Sequence, residues 1–178
     1  TGRVLGGPDE APTSNGKAPR KRASVASPQV DLFGSTVDAN GHMVLSEMAT
    51  IETVDHRYFL ADTSEAMHTL AAQLRKQPRF CFDTETTGTD ERTAELVGIA
   101  FSWKKHEGHY VPVPADRAEA QRVVDIFKAV LQDPAIGKVA QNAKYDVAVM
   151  ANYGVEVKGR LFDTMVAHYL LHPELRHG

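Results

Sequence analysis

Asp83 and Glu85 stand two residues apart in the run Phe80-Cys81-Phe82-Asp83-Thr84-Glu85-Thr86-Thr87-Gly88, and a third acid, Asp146, closes the run Gln141-Asn142-Ala143-Lys144-Tyr145-Asp146. The first run has the pattern of an apolar strand. Side chains alternate along a strand, so Asp83 and Glu85 share one face and Thr84 points to the other. Two carboxylates so spaced can share one cation or bridge two, and their hard oxygens suit Mg2+ or Mn2+ rather than Zn2+. Asp146 falls in the first turn of a helix, where unpaired N–H groups favour negative charge. It is either a dipole-compensating residue or a third ligand. Three acids converging from a strand and a helix are what a pair of divalent cations needs to hold and cut a phosphodiester.

Patterning places these groups on a mixed α/β frame. His56 to Ala61 reads as a short strand. Asp62-Thr63-Ser64-Glu65 opens a helix, along which Met67, Leu70, Ala71 and Leu74 recur at helical spacing until Pro78. Strands follow at Arg79 to Thr84 and Leu96 to Trp103, joined by the polar loop Gly88 to Thr93, with Gly88 expected to allow a sharp turn. A third strand, His109 to Val113, is expected antiparallel to its predecessor. Val123, Phe127, Val130 and Leu131 mark a helix over residues 116–132. Lys138 to Ala140 is a brief strand. Lys144 to Tyr153 is a helix ended by Gly154, and Asp163 caps another that runs to Leu171. A meander of strands followed by alternating strands and helices predicts a mixed sheet flanked by helices.

The chain has 178 residues, 42% of them hydrophobic and 24% charged, which is ordinary for a globular domain with an appendage. Residues 1–49 are rich in Gly, Pro, Ser, Thr and Ala, and are expected to be a disordered linker carrying a solvated basic cluster, Arg20-Lys21-Arg22. Residues 50–178 form the expected domain. The net charge of −3 excludes a large basic face but not a nuclease, whose acidic site borrows positive charge from metal ions. The single cysteine, Cys81, permits no internal disulfide and fits a reducing cytoplasm; between Phe80 and Phe82 it is expected to be a small buried hydrophobe. No apolar run is long enough to cross a bilayer, and no membrane partner is expected. The chain starts at Thr1 and stops at His177-Gly178, as a piece of a longer protein would.

The two acidic runs resemble the first two motifs of the DEDD superfamily of exonucleases, on a ribonuclease-H-like fold. They are most similar to the proofreading domains of bacterial family A polymerases. Leu96-Val97-Gly98-Ile99-Ala100-Phe101-Ser102, Ala151-Asn152-Tyr153-Gly154, and Phe162-Asp163-Thr164-Met165 with Tyr169-Leu170-Leu171 extend the resemblance from about residue 54 to the end. It implies that Asp83, Glu85 and Asp146 are three of four metal-binding, catalytic carboxylates around two Mg2+ or Mn2+ ions roughly 4 Å apart. One ion, at Asp83, Glu85 and the fourth acid, would activate water; the other, between Asp83 and Asp146, would stabilise the leaving oxygen. Glu85 would also accept a hydrogen bond from the 3′ hydroxyl. Thr84, Gln141, Asn142, Lys144 and Tyr145 are the expected substrate contacts, although Tyr145 also suits the core. The implied substrate is a frayed single-stranded 3′ end of DNA, and the implied partner is a polymerase domain in the same chain.

The chain departs from the family pattern in two places. The fourth acid belongs to a Tyr-x-x-x-Asp motif that does not occur after Asp163, so a fold truncated at the C-terminus is expected. His168 and His172 are expected on a helix surface, and Asp163 as a cap rather than a metal ligand. Thr89 stands near the place of an apolar base wedge. A ribonuclease-D-like RNA trimmer and a non-catalytic scaffold of the same fold are the alternative readings. Separately, Gln29-Val30-Asp31-Leu32-Phe33 resembles the peptide by which bacterial replication proteins dock on the sliding clamp; a chance apolar pair in a linker is the competing reading.

Overall fold

The computed structural model describes residues 52–174, Thr50, and the backbone of two short strands before them. In chain order the elements are β1 (Thr36–Val37), β2 (Met43–Val44), β3 (Arg57–Leu60), α1 (Ser64–Leu74), β4 (Arg79–Thr86), β5 (Leu96–Ser102), β6 (Glu107–Pro112), α2 (Arg117–Leu131), β7 (Gly137–Ala140), α3 (Ala143–Ala151), β8 (Leu161–Asp163) and α4 (Thr164–Leu171). The chain divides into two units, Thr1–Ser46 and Glu47–Gly178. In the first, β1 and β2 pair antiparallel. The basic cluster at 20–22 and the peptide Gln29 to Phe33 lie outside the described residues.

In the second unit, six strands form a mixed sheet in the order β3-β6-β5-β4-β7-β8. The β4–β5 and β5–β6 pairs are antiparallel, and β3–β6, β4–β7 and β7–β8 are parallel. This is the mixed sheet with flanking helices that the patterning predicts. Strand β8 is an addition: Leu161 and Phe162 are exposed, so a three-residue edge strand leaves no apolar alternation to read.

Strand β4 sorts its side chains by alternation. Phe80, Phe82 and Thr84 are buried, while Arg79, Cys81, Asp83 and Glu85 are exposed. On the buried face Thr84 lies beside Ile99 and Val111, and Phe82 beside Phe101. Phe101 meets Phe80 edge-on and stacks on Phe127 of α2 with ring centroids 4.9 Å apart. Leu70 and Leu74 of α1, Val124 and Leu131 of α2, and Val149 and Met150 of α3 complete this core. Each helix presents the apolar stripe its spacing implies, and the apolar area removed from water here is the main favourable term in folding. Thr63 caps α1 and Asp116 caps α2 through their side-chain oxygens.

Three expectations need correction. Cys81 is exposed, because alternation places it with Asp83 and not with Phe80 and Phe82. His168 is buried at 9% exposure: it lies on the inward side of α4, while His172 is only partly exposed. Gly88 is not among the positive-φ glycines, and a Cβ there would meet nothing within 4 Å, so it makes no turn that needs glycine.

Candidate active site

Strand β7 accompanies β4 only through Cys81, which pairs with Val139. Beyond that point the strands part, and the first turn of α3 fills the gap. The Thr84 backbone N–H, which has no strand partner on that side, donates to Asp146 Oδ1 at 3.0 Å, and the Thr84 hydroxyl donates to the same oxygen at 2.6 Å. Thr84 is 8% exposed and Asp146 2%. A buried carboxylate is costly unless hydrogen-bonded, and Thr84 supplies both of these bonds to Asp146.

Asp83 and Glu85 flank Thr84 on the open face. Register carries Asp83 across Ala100 to Tyr110 and Leu60, and Glu85 to Gly98 and Pro112. Gly98 matters here: a Cβ at that position would sit 2.1 Å from the Tyr110 hydroxyl oxygen, so the Tyr110 ring lies over Gly98, the strand neighbour of Glu85. Tyr110 was not singled out from sequence, because nothing in the pattern of β6 tells which way its ring leans.

The charges interact. The Asp83 carboxyl is held above its ordinary value, first by burial and then by Glu85, against a backbone hydrogen bond at Thr84. Asp146 is also held up, first by burial; the Thr84 bonds oppose the rise and the charge of Asp83 adds to it. The Cys81 thiol is raised by its surroundings and then by both Asp83 and Asp146. The strand acids and the helix acid therefore stand within electrostatic reach of one another. Among the described residues no Lys, Arg or His forms an ion pair with any of the three.

The donor set is hard oxygen, negatively charged and uncompensated, which fits a divalent cation such as Mg2+ or Mn2+. Among the described residues, however, no three His, Cys, Asp or Glu side chains stand together as a finished metal cage. The candidate donors are a strand pair and one helix acid. A broad groove lined by Phe59, Leu70, Trp103 and His109 lies by β3 and α1, and none of the three acids lines it.

The other residues that sequence reading placed in the site divide by what holds them. Tyr145 is partly buried; its hydroxyl donates to Gly88 O at 2.5 Å and lies 2.6 Å from Thr86 Oγ1, so it ties α3 to the end of β4. Asn142 is the residue before α3, in the left-handed region at φ 53°. Gln141 and Lys144 are exposed beside it, and the Thr164 hydroxyl bonds the Gln141 side chain. Asn152 Nδ2 donates to Glu91 O at 2.7 Å, and the Tyr153 hydroxyl accepts from Leu96 N at 3.0 Å. These bonds explain the run Ala151-Asn152-Tyr153-Gly154 physically: it fastens the loop after β4 to the far end of α3. Thr89 is exposed in that loop.

Comparison with known proteins gives a consistent picture. The sequence profile of a family described as 3′–5′ exonuclease matches residues 58–178. DNA polymerase I of Borreliella burgdorferi is 33% identical over 131 residues, covering 71% of this chain and 14% of that protein. DNA polymerase I of Pseudomonas aeruginosa is 36% identical over 107 residues, covering 56% and 12%. The chain thus spans about an eighth of the length of these relatives. Among solved structures, a nuclease in its apo form is 28% identical with a TM-score of 0.53, covering 70% of this chain and 56% of that one. Trypanosoma brucei RNase D, at 21% identity and a TM-score of 0.53 (63% and 39% covered), and Brucella melitensis NrnC with bound Mg2+, at 21% and 0.52 (70% and 58%), share the fold. These likenesses bear out the ribonuclease-H-like architecture.

Proposed function

This chain belongs to the 3′–5′ exonuclease family represented in bacterial DNA polymerases I, and from that membership we propose that it is the proofreading domain of a family A DNA polymerase, removing nucleotides from the 3′ end of DNA. The observation that carries the proposal is Asp146 of α3 bonded to Thr84, the residue between Asp83 and Glu85 on β4, and near enough for its carboxyl to feel the charge of Asp83; among the described residues no Lys, Arg or His pairs with any of the three. The relatives' polymerase regions support a polymerase domain in the same polypeptide.

Asp83, Glu85 and Asp146 would hold divalent ions, which when bound supply an activated water and stabilise charge on the departing oxygen. The chain's own residues do the rest. Thr84 holds the Asp146 carboxylate against the strand and so fixes the distance between the helix acid and the strand pair. Glu85, exposed at the strand end, accepts a hydrogen bond from the terminal 3′ hydroxyl, which selects ends over interior bonds. Gln141, Asn142 and Lys144 stand at the head of α3, where amide and ammonium donors meet phosphate oxygens. Tyr145 keeps the β4 end and the Gly88 carbonyl in one position as the strand is threaded past. Unpaired ends enter such a site more readily than paired ones, so mismatched termini are removed preferentially without base reading.

Hydrolysis of a 3′-labelled single strand by the full-length protein in Mg2+ tests this. Asp83→Ala and Asp146→Ala are expected to lower kcat by at least 1,000-fold, about 4 kcal/mol of transition-state stabilisation, with the fold retained. Undiminished release of mononucleotides by either variant would refute the assignment. A DNA strand and an RNA strand of the same sequence, run in parallel, separate this reading from an RNA trimmer.

A further inference from the structure

Resting on the exonuclease reading, a further role emerges for a residue that binds neither substrate nor cation. Helix α3 begins without a cap of its own. Asn142, its N-cap residue, is left-handed and makes no side-chain cap bond. The first N–H groups of a helix need acceptors from somewhere. Here they come from a different strand. Asp163, the last residue of β8, accepts from Asn142 N at 3.1 Å on Oδ1 and from Ala143 N at 2.8 Å on Oδ2. The same Oδ1 accepts from Met165 N at 2.9 Å and Val166 N at 3.3 Å, capping α4.

One carboxylate therefore closes two helix N-termini. Parallel pairing of Ala140 with Asp163 brings it there, and Thr164 reinforces the junction through Ala140 O at 3.4 Å and the Gln141 side chain. A cap that served α4 alone would need only Oδ1. The bond from Oδ2 reaches Ala143, in the same first turn as Asp146, whose carboxylate is pinned to Thr84 on its other side.

We infer that Asp163 is a positioning residue: it sets where α3 starts, and through that where Asp146 presents the carboxylate that, with Asp83, would hold a divalent ion. The test uses Asp163→Asn and Asp163→Ala in the full-length protein. Asparagine keeps one oxygen for α4 but turns an N–H2 group toward the Ala143 N–H. Both variants are expected to lower kcat on a single-stranded 3′ end by at least tenfold while KM stays within twofold, and to weaken Mn2+ binding in proportion. Amide exchange in Asp163→Asn is expected to quicken at Ala143, whose acceptor is Oδ2, while Ile99 and Phe101 stay protected.

A kcat within twofold of the unaltered protein, in an Asp163→Asn variant whose Ala143 amide has lost protection, would overturn the inference. So would a loss of rate matched by the unfolded fraction, with normal kcat per folded molecule. Should Asp163→Ala fail to fold, Asp163→Asn decides. Absence of hydrolysis by the unaltered protein counts against the exonuclease reading instead, and Mn2+ binding and Ala143 exchange then still decide the positional claim.

Discussion

Asp146 shows what the sequence conveys about a single residue and what it withholds. Its type and its place in a first turn are enough to mark it as a metal-ligand candidate. Its burial and the two donors from Thr84 depend on β7 leaving β4 after Cys81, which no local pattern announces. Thr84 therefore reads from sequence as a substrate contact between two acids, and from structure as the buried clamp on the third acid. Thr84→Val removes the hydroxyl donor and keeps the backbone bond and the shape. A hydrogen bond to a charged group is worth about 1.5–3 kcal/mol, so the variant is expected to melt several degrees lower, and kcat per folded molecule is expected to fall roughly tenfold as Asp146 loses one of its two anchors. Equal kcat in steady-state assays would show that the backbone bond alone suffices. Asp83 gives a prediction with a definite sign. Its pKa is raised in the folded state, so the folded protein holds more protons than the unfolded chain just above the ordinary carboxylate value, and stability from this group falls as pH rises through that interval. In chelator, Asp83→Asn is expected to gain stability relative to the parent as pH rises above the ordinary carboxylate range, measured by thermal melts; a constant difference would contradict the charge assignment.

Among the elements, the strands and helices with clear periodicity were readable because each buries one face. Helices α1 and α2 match their apolar spacing, α1 also its cap, and β4 matches its alternation. Strand β8 was not readable because its exposed Leu161 and Phe162 follow no buried pattern. Helix α3 carries the site because three side-chain contacts fasten its length: Tyr145 to Gly88, Asn152 to Glu91 and Tyr153 to Leu96. Strand β5 contributes by what Gly98 lacks. Gly98→Ala would force the Tyr110 ring off the strand beside Glu85. Overpacking of this kind costs about 1–3 kcal/mol, and the variant is expected to melt several degrees lower and to bind the 3′ end less tightly. An unchanged KM in that variant would show that the Tyr110 ring beside Glu85 does not shape the place of the 3′ end.

Across the whole molecule, one sheet serves two purposes. Its buried face carries Phe80, Phe82, Phe101 and the helices that make the fold stable, its open face carries Asp83 and Glu85, and Asp146 reaches the strand through Thr84 between them. The same alternation in β4 that packs the core aims Asp83 and Glu85 outward, so stability and site share one register, and a one-residue slip would lose both. The buried Lys138, 1% exposed, belongs to the stability side: its ammonium donates to Asp133 O at 2.7 Å and Ile136 O at 3.0 Å, bracing the turn before β7. Among the described residues the acids have no ion-pair partner, and the proposed function has them hold metal ions. The most direct measurement is a Mn2+ titration of the full-length protein followed by electron paramagnetic resonance. Bound Mn2+ is expected in the parent and in Cys81→Ser, and loss of that binding in Asp83→Ala. Undiminished Mn2+ binding by Asp83→Ala, or none by the parent, would contradict the proposed metal site.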